Sequence, residues 1–256
     1  EGTIPLAIPA TGGFGLNGFT SSSISTARLN AMKQLLALDN SNILVKGASE
    51  TTFDAINNSA ILSPILTSTT SQVTPIFANL NTGISNQLQQ IAKTIEARNT
   101  LGLKRQIFFC SLGGFDTHAN QLVTQANLLG QVGAALKAFY DATVKLGVAS
   151  NVTTFTLSDF GRTYKPASGG GSDHAWGNHQ LIIGGAIRGG DFYGTWPTLA
   201  LGGPDDISSE GRWVPTTSVD QYIATLALWY GLAPSNLSLV LPNIGRFSNA
   251  DLHFFA

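Results

Sequence analysis

Two short apolar runs, separated by a long amphipathic stretch, place the strongest restriction on the fold of this 256-residue chain. Residues 106–112 form a compact apolar run between a basic pair and a glycine pair, which is typical of a buried strand. Residues 118–146 carry leucine at seven-residue intervals and predict a long helix, and residues 152–158 alternate like a second strand. A strand, a helix and a strand in this order favour a parallel pair. We therefore predict an α/β fold with a mostly parallel sheet flanked by helices.

Weaker patterns predict the remaining elements. A helix is expected from about residue 25 to residue 40, because apolar residues recur behind serine and threonine caps. Residues 84–95 place their apolar side chains on one stripe and predict a second helix that faces the core. Residues 180–183 predict a further strand. Ser218 and Gln221 form a capping box that begins a helix ending at a glycine.

Composition and charge limit the organisation and the partners of the chain. With 43% hydrophobic residues the chain can build one sizeable core, so we expect a single domain over residues 1–256, with an irregular arm over about residues 1–20. The net charge of −1 and the absence of a basic run argue against nucleic-acid binding. The longest uncharged apolar stretch, residues 181–187, is too short to span a membrane. The first residues lack a signal-peptide pattern, so a processed or truncated start is expected.

Three of the four histidines lie in two glycine-rich segments that also contain aspartate, and this clustering is the sharpest functional signal. The candidate metal ligands are Asp116, His118, Asp159, Asp173, His174 and His179. Mixed carboxylate and imidazole ligands suit zinc, manganese or iron better than calcium. Ligands of open parallel sheets bind beyond the carboxyl ends of the strands, where Asp116 and Asp159 are expected. In the alternative interpretation, the aspartates cap helices or turns and the histidines make ordinary hydrogen bonds.

Arg162 is the candidate anion-binding residue, because it lies next to the proposed ligands in the sequence. A guanidinium group binds a phosphate or sulfate oxyanion through two parallel hydrogen bonds. The same group also forms structural ion pairs, and an ion pair with one of the aspartates is the alternative role of Arg162.

Two motifs resemble the bacterial domain-of-unknown-function family 1501. They are Gly-Gly-Phe-Asp-Thr-His-Ala-Asn-Gln at residues 113–121 and Ser-Asp-Phe-Gly-Arg-Thr at residues 158–163. The stretch over residues 171–179 is also similar to that family, and the resemblance is dense over about residues 106–231. It implies that the chain is the carboxyl-terminal part of a longer architecture.

The family is grouped with the alkaline-phosphatase-like superfamily, whose phosphatases and sulfatases are α/β proteins with a two-metal site. The resemblance implies that Asp116 and His118 serve one metal ion and that Asp159, with His174 or His179, completes the cluster. The superfamily often has histidine after the aspartate of the second motif, where this chain has Phe160. Family members usually also carry an amino-terminal half with an export signal, and this half supplies the nucleophile in the superfamily enzymes.

The resemblance and the candidate ligands together lead to one functional hypothesis and one alternative. The hypothesis is a metal-dependent hydrolase of phosphate or sulfate esters, or the carboxyl-terminal fragment of one, which uses divalent metal ions, zinc or manganese. Its expected partners are a small-molecule or glycan ester substrate and a missing amino-terminal half, and its expected location is periplasmic or extracellular. The alternative is a non-catalytic exported surface, carbohydrate-binding or assembly protein on the same fold.

Overall fold

A computed structural model describes residues 5–38 and 41–256 of the chain. The chain divides into two compact units, residues 1–104 and residues 105–256, and each unit is described by itself. The single domain over residues 1–256 stays a prediction. Residues 5–22 contain no helix or strand, whereas the first four residues of the predicted arm lie outside the described residues. Asn40, at the predicted end of the first helix, also lies outside them.

The first unit is built from helices. They are α1 (Ser23–Leu36), α2 (Ile43–Leu66), α3 (Gly83–Glu96) and the short α4 (Arg98–Leu101), with a 3-10 turn at Thr74–Phe77. The first predicted helix is confirmed, with Ser22 as its N-cap. Helix α2 was not predicted from the sequence, because it buries only three of its residues and lacks a strong apolar stripe.

Helix α3 confirms the predicted stripe and forms the packed centre of the first unit. Its four stripe residues are all buried, namely Ile84, Leu88, Ile91 and Ile95. A capping box of Thr82 and Ser85 begins the helix. On the same helix the buried Lys93 donates from Nζ to the carbonyl oxygen of Leu66 at 2.8 Å, so that it binds the last residue of α2. Apolar burial and buried polar bonds thus both hold α3 in place.

The second unit combines helices with very short strands. The helices are α5 (Gln121–Lys145), α6 (Val219–Tyr230) and α7 (Leu237–Val240), and the strands are β1 (Thr153–Phe155), β2 (Gly161–Arg162), β3 (His174–Ala175) and β4 (Ile182–Gly184). The predicted long helix and the predicted capping box of Ser218 with Gln221 are confirmed. Tyr222 and Leu226 of α6 pack with Phe254 in a buried cluster. No helix in the described part of the chain is both long and apolar enough to span a membrane.

The predicted α/β fold with a mostly parallel sheet is wrong. The described residues contain two small antiparallel sheets of two strands each, in which β1 pairs with β4 and β2 pairs with β3. The pairing is nested, because Thr153 lies opposite Gly184 and Arg162 lies opposite His174. Residues 153–184 therefore form one long irregular hairpin. The physical reason is that the chain reverses its direction between β1 and β4, so that β4 runs antiparallel to β1. A parallel pair would need a crossover connection.

The apolar run over residues 106–112 is not a strand, and it is not buried. Ile107 is 79% exposed and Phe109 is 90% exposed. A β-strand requires a neighbouring strand for its backbone hydrogen bonds, and no described strand pairs with this run. The apolar composition of this run favours burial, but the described residues leave its large side chains exposed.

Candidate metal centre

The tip of hairpin 153–184 lies against the residues that lead into α5. The backbone N–H groups of Asn120 and Gln121 donate to the carbonyl oxygens of Gly169 and Gly170 at 3.1 and 3.0 Å. Close approach needs a glycine at position 171, where an added Cβ would lie 2.0 Å from the carbonyl carbon of His118. These contacts bring the two glycine-rich motifs together.

Three side chains converge at this junction with their ligand atoms in contact. The Nε2 atoms of His118 and His174 are 3.1 Å apart, and each lies 2.9 Å from Oδ1 of Asp116. Within residues 5–38 and 41–256 no other set of three or more histidine, cysteine or acidic side chains could hold a metal ion. All three side chains are about half exposed, so the cluster is open to a ligand from solvent.

The donor set fits a divalent transition metal. Two imidazole nitrogens and one carboxylate oxygen are typical of catalytic zinc sites, which have three protein ligands and one open position. At the usual bond lengths, two ligands of a tetrahedral zinc ion are about 3.3 Å apart. The three separations of 2.9 to 3.1 Å are only slightly shorter, so a small adjustment of the side chains would accommodate the ion.

Asp173 lies on the other side of the His118 ring. Its Oδ1 atom is 3.5 Å from Nδ1 of His118, whereas Nε2 of that ring points to the cluster. A carboxylate behind a histidine fixes the orientation of the ring and raises its basicity as a ligand. Arg212 approaches the second oxygen of Asp173 at 3.8 Å and makes a 2.6 Å ion pair with Glu210. Asp173 therefore supports a ligand and is not part of the three-residue cluster.

Arg162 binds Asp116 directly. Its Nη1 atom donates to Oδ1 of Asp116 at 2.7 Å, which is the structural ion pair that the sequence left open as an alternative role. Partial desolvation raises the pKa of Asp116, but the hydrogen bond from Arg162 and Coulombic interactions with His118, His174 and the Arg162 guanidinium lower it, and the net pKa is lowered. Asp116 is therefore a carboxylate at neutral pH.

The structure does not bring Asp159 or His179 into the cluster. Asp159 lies exposed between β1 and β2. The ring of His179 stacks on Trp196 with the ring centres 4.5 Å apart. Phe160, at the position where the superfamily often has histidine, packs its ring edge-to-face against His174. This contact supports a ligand by packing and supplies no ligand atom.

Three polar residues around the centre were not predicted from the sequence. Ser172 and Gln121 hydrogen-bond to each other, Ser172 also bonds Arg162, and Arg212 contacts Asp173 and the carbonyl oxygen of His174. Gln121 and Ser172 stand inside the motif segments, so their positions could have been noticed. Arg212 lies in a loop far along the chain and carried no sequence signal.

Comparison with known proteins identifies the family alone. No curated protein and no solved structure is significantly similar to the chain. A family model described as "Protein of unknown function (DUF1501)" matches residues 49–218, which is about two thirds of the chain and includes every predicted site residue. The chain therefore belongs to the DUF1501 family of proteins of unknown function.

Proposed function

We propose that this protein is a metal-dependent hydrolase of phosphate or sulfate esters, and that Asp116, His118 and His174 hold its zinc or manganese ion. The observation that carries the proposal is the convergence of three ligand atoms, each within 3.1 Å of the other two, at an open junction of two loops. Structural zinc sites are usually closed by four protein ligands, whereas a three-ligand open site is typical of catalysis.

The residues around the cluster have distinct roles in this proposal. A bound divalent ion polarises an ester oxygen and acidifies a water molecule, which is the chemistry that ester hydrolysis needs. Asp173 orients His118, so that Nε2 of the ring stays directed at the cluster. Arg162 helps to lower the pKa of Asp116 and brings a permanent positive charge to the site, which favours an anionic substrate.

Charge and exposure support the proposed substrate class. Ligand side chains that are about half exposed leave room for a large ester, including one carried by a glycan. The resemblance to phosphatases and sulfatases of the alkaline-phosphatase-like superfamily supports the phosphate or sulfate ester as the reacting group. We include an exported location in the proposal, since the low content of charged residues, 11%, agrees with it.

We further propose that an amino-terminal half covers the exposed run over residues 106–112. Ile107 and Phe109 are large apolar side chains that lie largely in water, which is unfavourable unless a partner surface buries them. The run stands only a few residues before Asp116 in the sequence. Because this run is close to Asp116 in the sequence, a partner that binds the run would be placed to supply further catalytic groups.

Metal analysis of the isolated protein tests the proposal. We expect zinc or manganese to be retained by the wild type and lost from the His118→Ala/His174→Ala double variant. His253→Ala is the matched control, because His253 is exposed and pairs with Asp251 outside the cluster. Turnover of a nitrophenyl phosphate and a nitrophenyl sulfate by the complete gene product then identifies the ester. Absence of metal from the wild type, or equal metal in the double variant, contradicts the proposal and leaves the non-catalytic alternative.

A further inference from the structure

Arg162 occupies an unusual position for a positively charged residue beside a cation site. It belongs to β2, opposite His174 in the ladder, and its guanidinium binds the same Asp116 oxygen that both histidines approach. Its side chain is only 11% exposed. A largely buried positive charge therefore lies in direct contact with one of the three proposed metal ligands.

Several contacts fix this guanidinium in place. Its Nε atom donates to Oγ of Ser172 at 3.3 Å, and its Nη2 atom donates to the carbonyl oxygen of the same residue. The Ser172 hydroxyl in turn donates to Oε1 of Gln121, the first residue of α5. The ring of Phe160 lies 5.8 Å from the guanidinium carbon. Arg162 cannot swing away to admit another cation without breaking these bonds.

The guanidinium still has hydrogen-bonding capacity. Of its five N–H groups, one bonds Asp116 and two bond Ser172, so two remain for a further acceptor. An oxyanion bound at the cluster is such an acceptor, and hydrogen bonds between guanidinium and phosphate oxygens are among the strong ones in proteins. The fixed position means that no reorganisation is needed when negative charge arrives or develops.

A second divalent cation that shared Asp116 would meet the charge of the first ion as well as that of the guanidinium. Like charges a few ångströms apart repel one another strongly in a partly desolvated site. The described residues also contain no second group of three or more histidine, cysteine or acidic side chains that could hold a metal ion. We propose that the centre holds a single divalent cation and that the Arg162 guanidinium supplies the second positive charge that binds the oxyanion. This inference rests on the proposed function and replaces the two-metal site implied by the family resemblance.

Zinc and phosphate titrations of the full chain test the inference. The protein is stripped of metal and titrated with zinc, and the zinc-loaded protein is then titrated with inorganic phosphate by calorimetry. We expect about one zinc ion per chain, as for a three-ligand site. In Arg162→Met we expect zinc still to bind, also at about one ion per chain, while phosphate affinity falls about tenfold or more. Arg162→Lys keeps the charge but loses the forked geometry, so a smaller loss is expected.

Ser172→Ala is the second variant in case Arg162→Met fails to fold, as judged by circular dichroism. It removes one contact of the guanidinium and leaves the charge present, so a smaller loss of phosphate affinity with unchanged zinc stoichiometry is expected. Two zinc ions per wild-type chain would overturn the inference while leaving a metal-dependent hydrolase intact. Phosphate affinity unchanged in a folded Arg162→Met or, if that variant does not fold, unchanged in Ser172→Ala would overturn it as well. A stripped protein that binds neither zinc nor, in the same titration, manganese would overturn both the inference and the proposed function.

Discussion

Helix α3 in the first unit and hairpin 153–184 in the second unit are held by different forces. Nine of the 14 residues of α3 are buried, and its apolar stripe recurs at helical spacing. The strands of the hairpin are two or three residues long, and its tip is held by backbone hydrogen bonds and a close glycine contact. The periodicity of apolar residues in the sequence reveals a buried helix such as α3. It gives almost no signal for a hairpin that is held by backbone hydrogen bonds.

The difference has a consequence for function. Burial makes α3 stable and engages three of its polar side chains, Gln90, Lys93 and Thr94, in hydrogen bonds inside the unit. The hairpin leaves His174 about half exposed and holds it beside two residues that precede α5. The more weakly packed region thus presents the candidate metal ligands. Variants that separate stability from metal binding test this comparison.

The largest effect is expected from Leu88→Ala in α3. Leu88 is 2% exposed, so removing its side chain leaves a cavity in the first unit. We expect the free energy of unfolding to fall by about 2–5 kcal/mol, measured by chemical denaturation. Leu35→Ala is the matched control, because Leu35 is mostly exposed on α1 and its truncation costs little. Equal losses in the two variants would show that burial does not distinguish α3.

Gly171→Ala is expected to weaken metal binding. The added Cβ would lie 2.0 Å from the carbonyl carbon of His118 and 2.2 Å from its oxygen, so the backbone at the hairpin tip must move. We expect zinc affinity to fall about 10- to 100-fold, by analogy with the loss of groups that position metal ligands. The control is Gly189→Ala, where an added Cβ meets nothing within 4 Å. Wild-type zinc affinity in Gly171→Ala would mean that the tip contact does not position His118.

Lys93→Met tests the polar contribution to the stability of α3. Burial lowers the pKa of Lys93, while the charge of Glu96 raises it, and its Nζ atom donates to the last residue of α2. We expect a loss of about 1 kcal/mol in the free energy of unfolding, since methionine keeps the apolar stem but not the hydrogen bond. Lys46→Met is the control, because Lys46 makes only an exposed ion pair with Glu50. A more stable Lys93→Met variant would show that desolvation outweighs the bond.

The smallest effect concerns acid stability of the loop that carries Arg212. Partial desolvation raises the pKa of Asp206, but hydrogen bonds from the backbone N–H groups of Gly202, Ser208, Gly211 and Arg212 lower it, with a net value of about 2. A carboxyl group whose pKa is lowered on folding stabilises the protein above its unfolded pKa of 3.8 and loses this contribution as pH falls towards 2.

Asp206→Asn should therefore be less stable than the wild type at pH 7, and the difference should shrink as the pH is lowered from about 4 to about 2. Denaturation monitored by circular dichroism at several pH values measures this difference. Asp191→Asn is the control, since Asp191 is exposed and accepts a single backbone hydrogen bond from its neighbour Phe192. A difference that stays constant with pH would contradict the assigned role of the four N–H donors.

Local patterns predicted most of the long helices but not α2, and they located strands β1 and β4 without their antiparallel pairing. The stripe of α3, the leucine spacing of α5 and the capping box of α6 were all visible in the sequence, because a helix forms its hydrogen bonds within one segment. The run over residues 106–112 has the composition of a buried strand but no described partner. Strand pairing depends on a second segment, and composition does not identify it.

The candidate site was predicted in part for the same reason. Asp116, His118 and His174 were chosen because of their residue types and glycine-rich surroundings, and the structure places them together. Asp159 was chosen with them on the assumption of a parallel sheet whose strand ends meet at one edge. That sheet is absent from the described residues, and Asp159 and His179 lie outside the cluster.

By itself the sequence determined helices α1, α3, α5 and α6, the capping box of α6 and the residue types available for metal binding. Those features depend on neighbours within a few positions along the chain. Only the tertiary structure decided which ligands meet, that Asp173 stands behind His118, and that Arg162 is fixed on Asp116 by Ser172 and Gln121. The hairpin residues of the centre lie far along the chain from Asp116, with Arg162 46 and His174 58 positions away. Their contact depends on how the hairpin folds back on the start of α5.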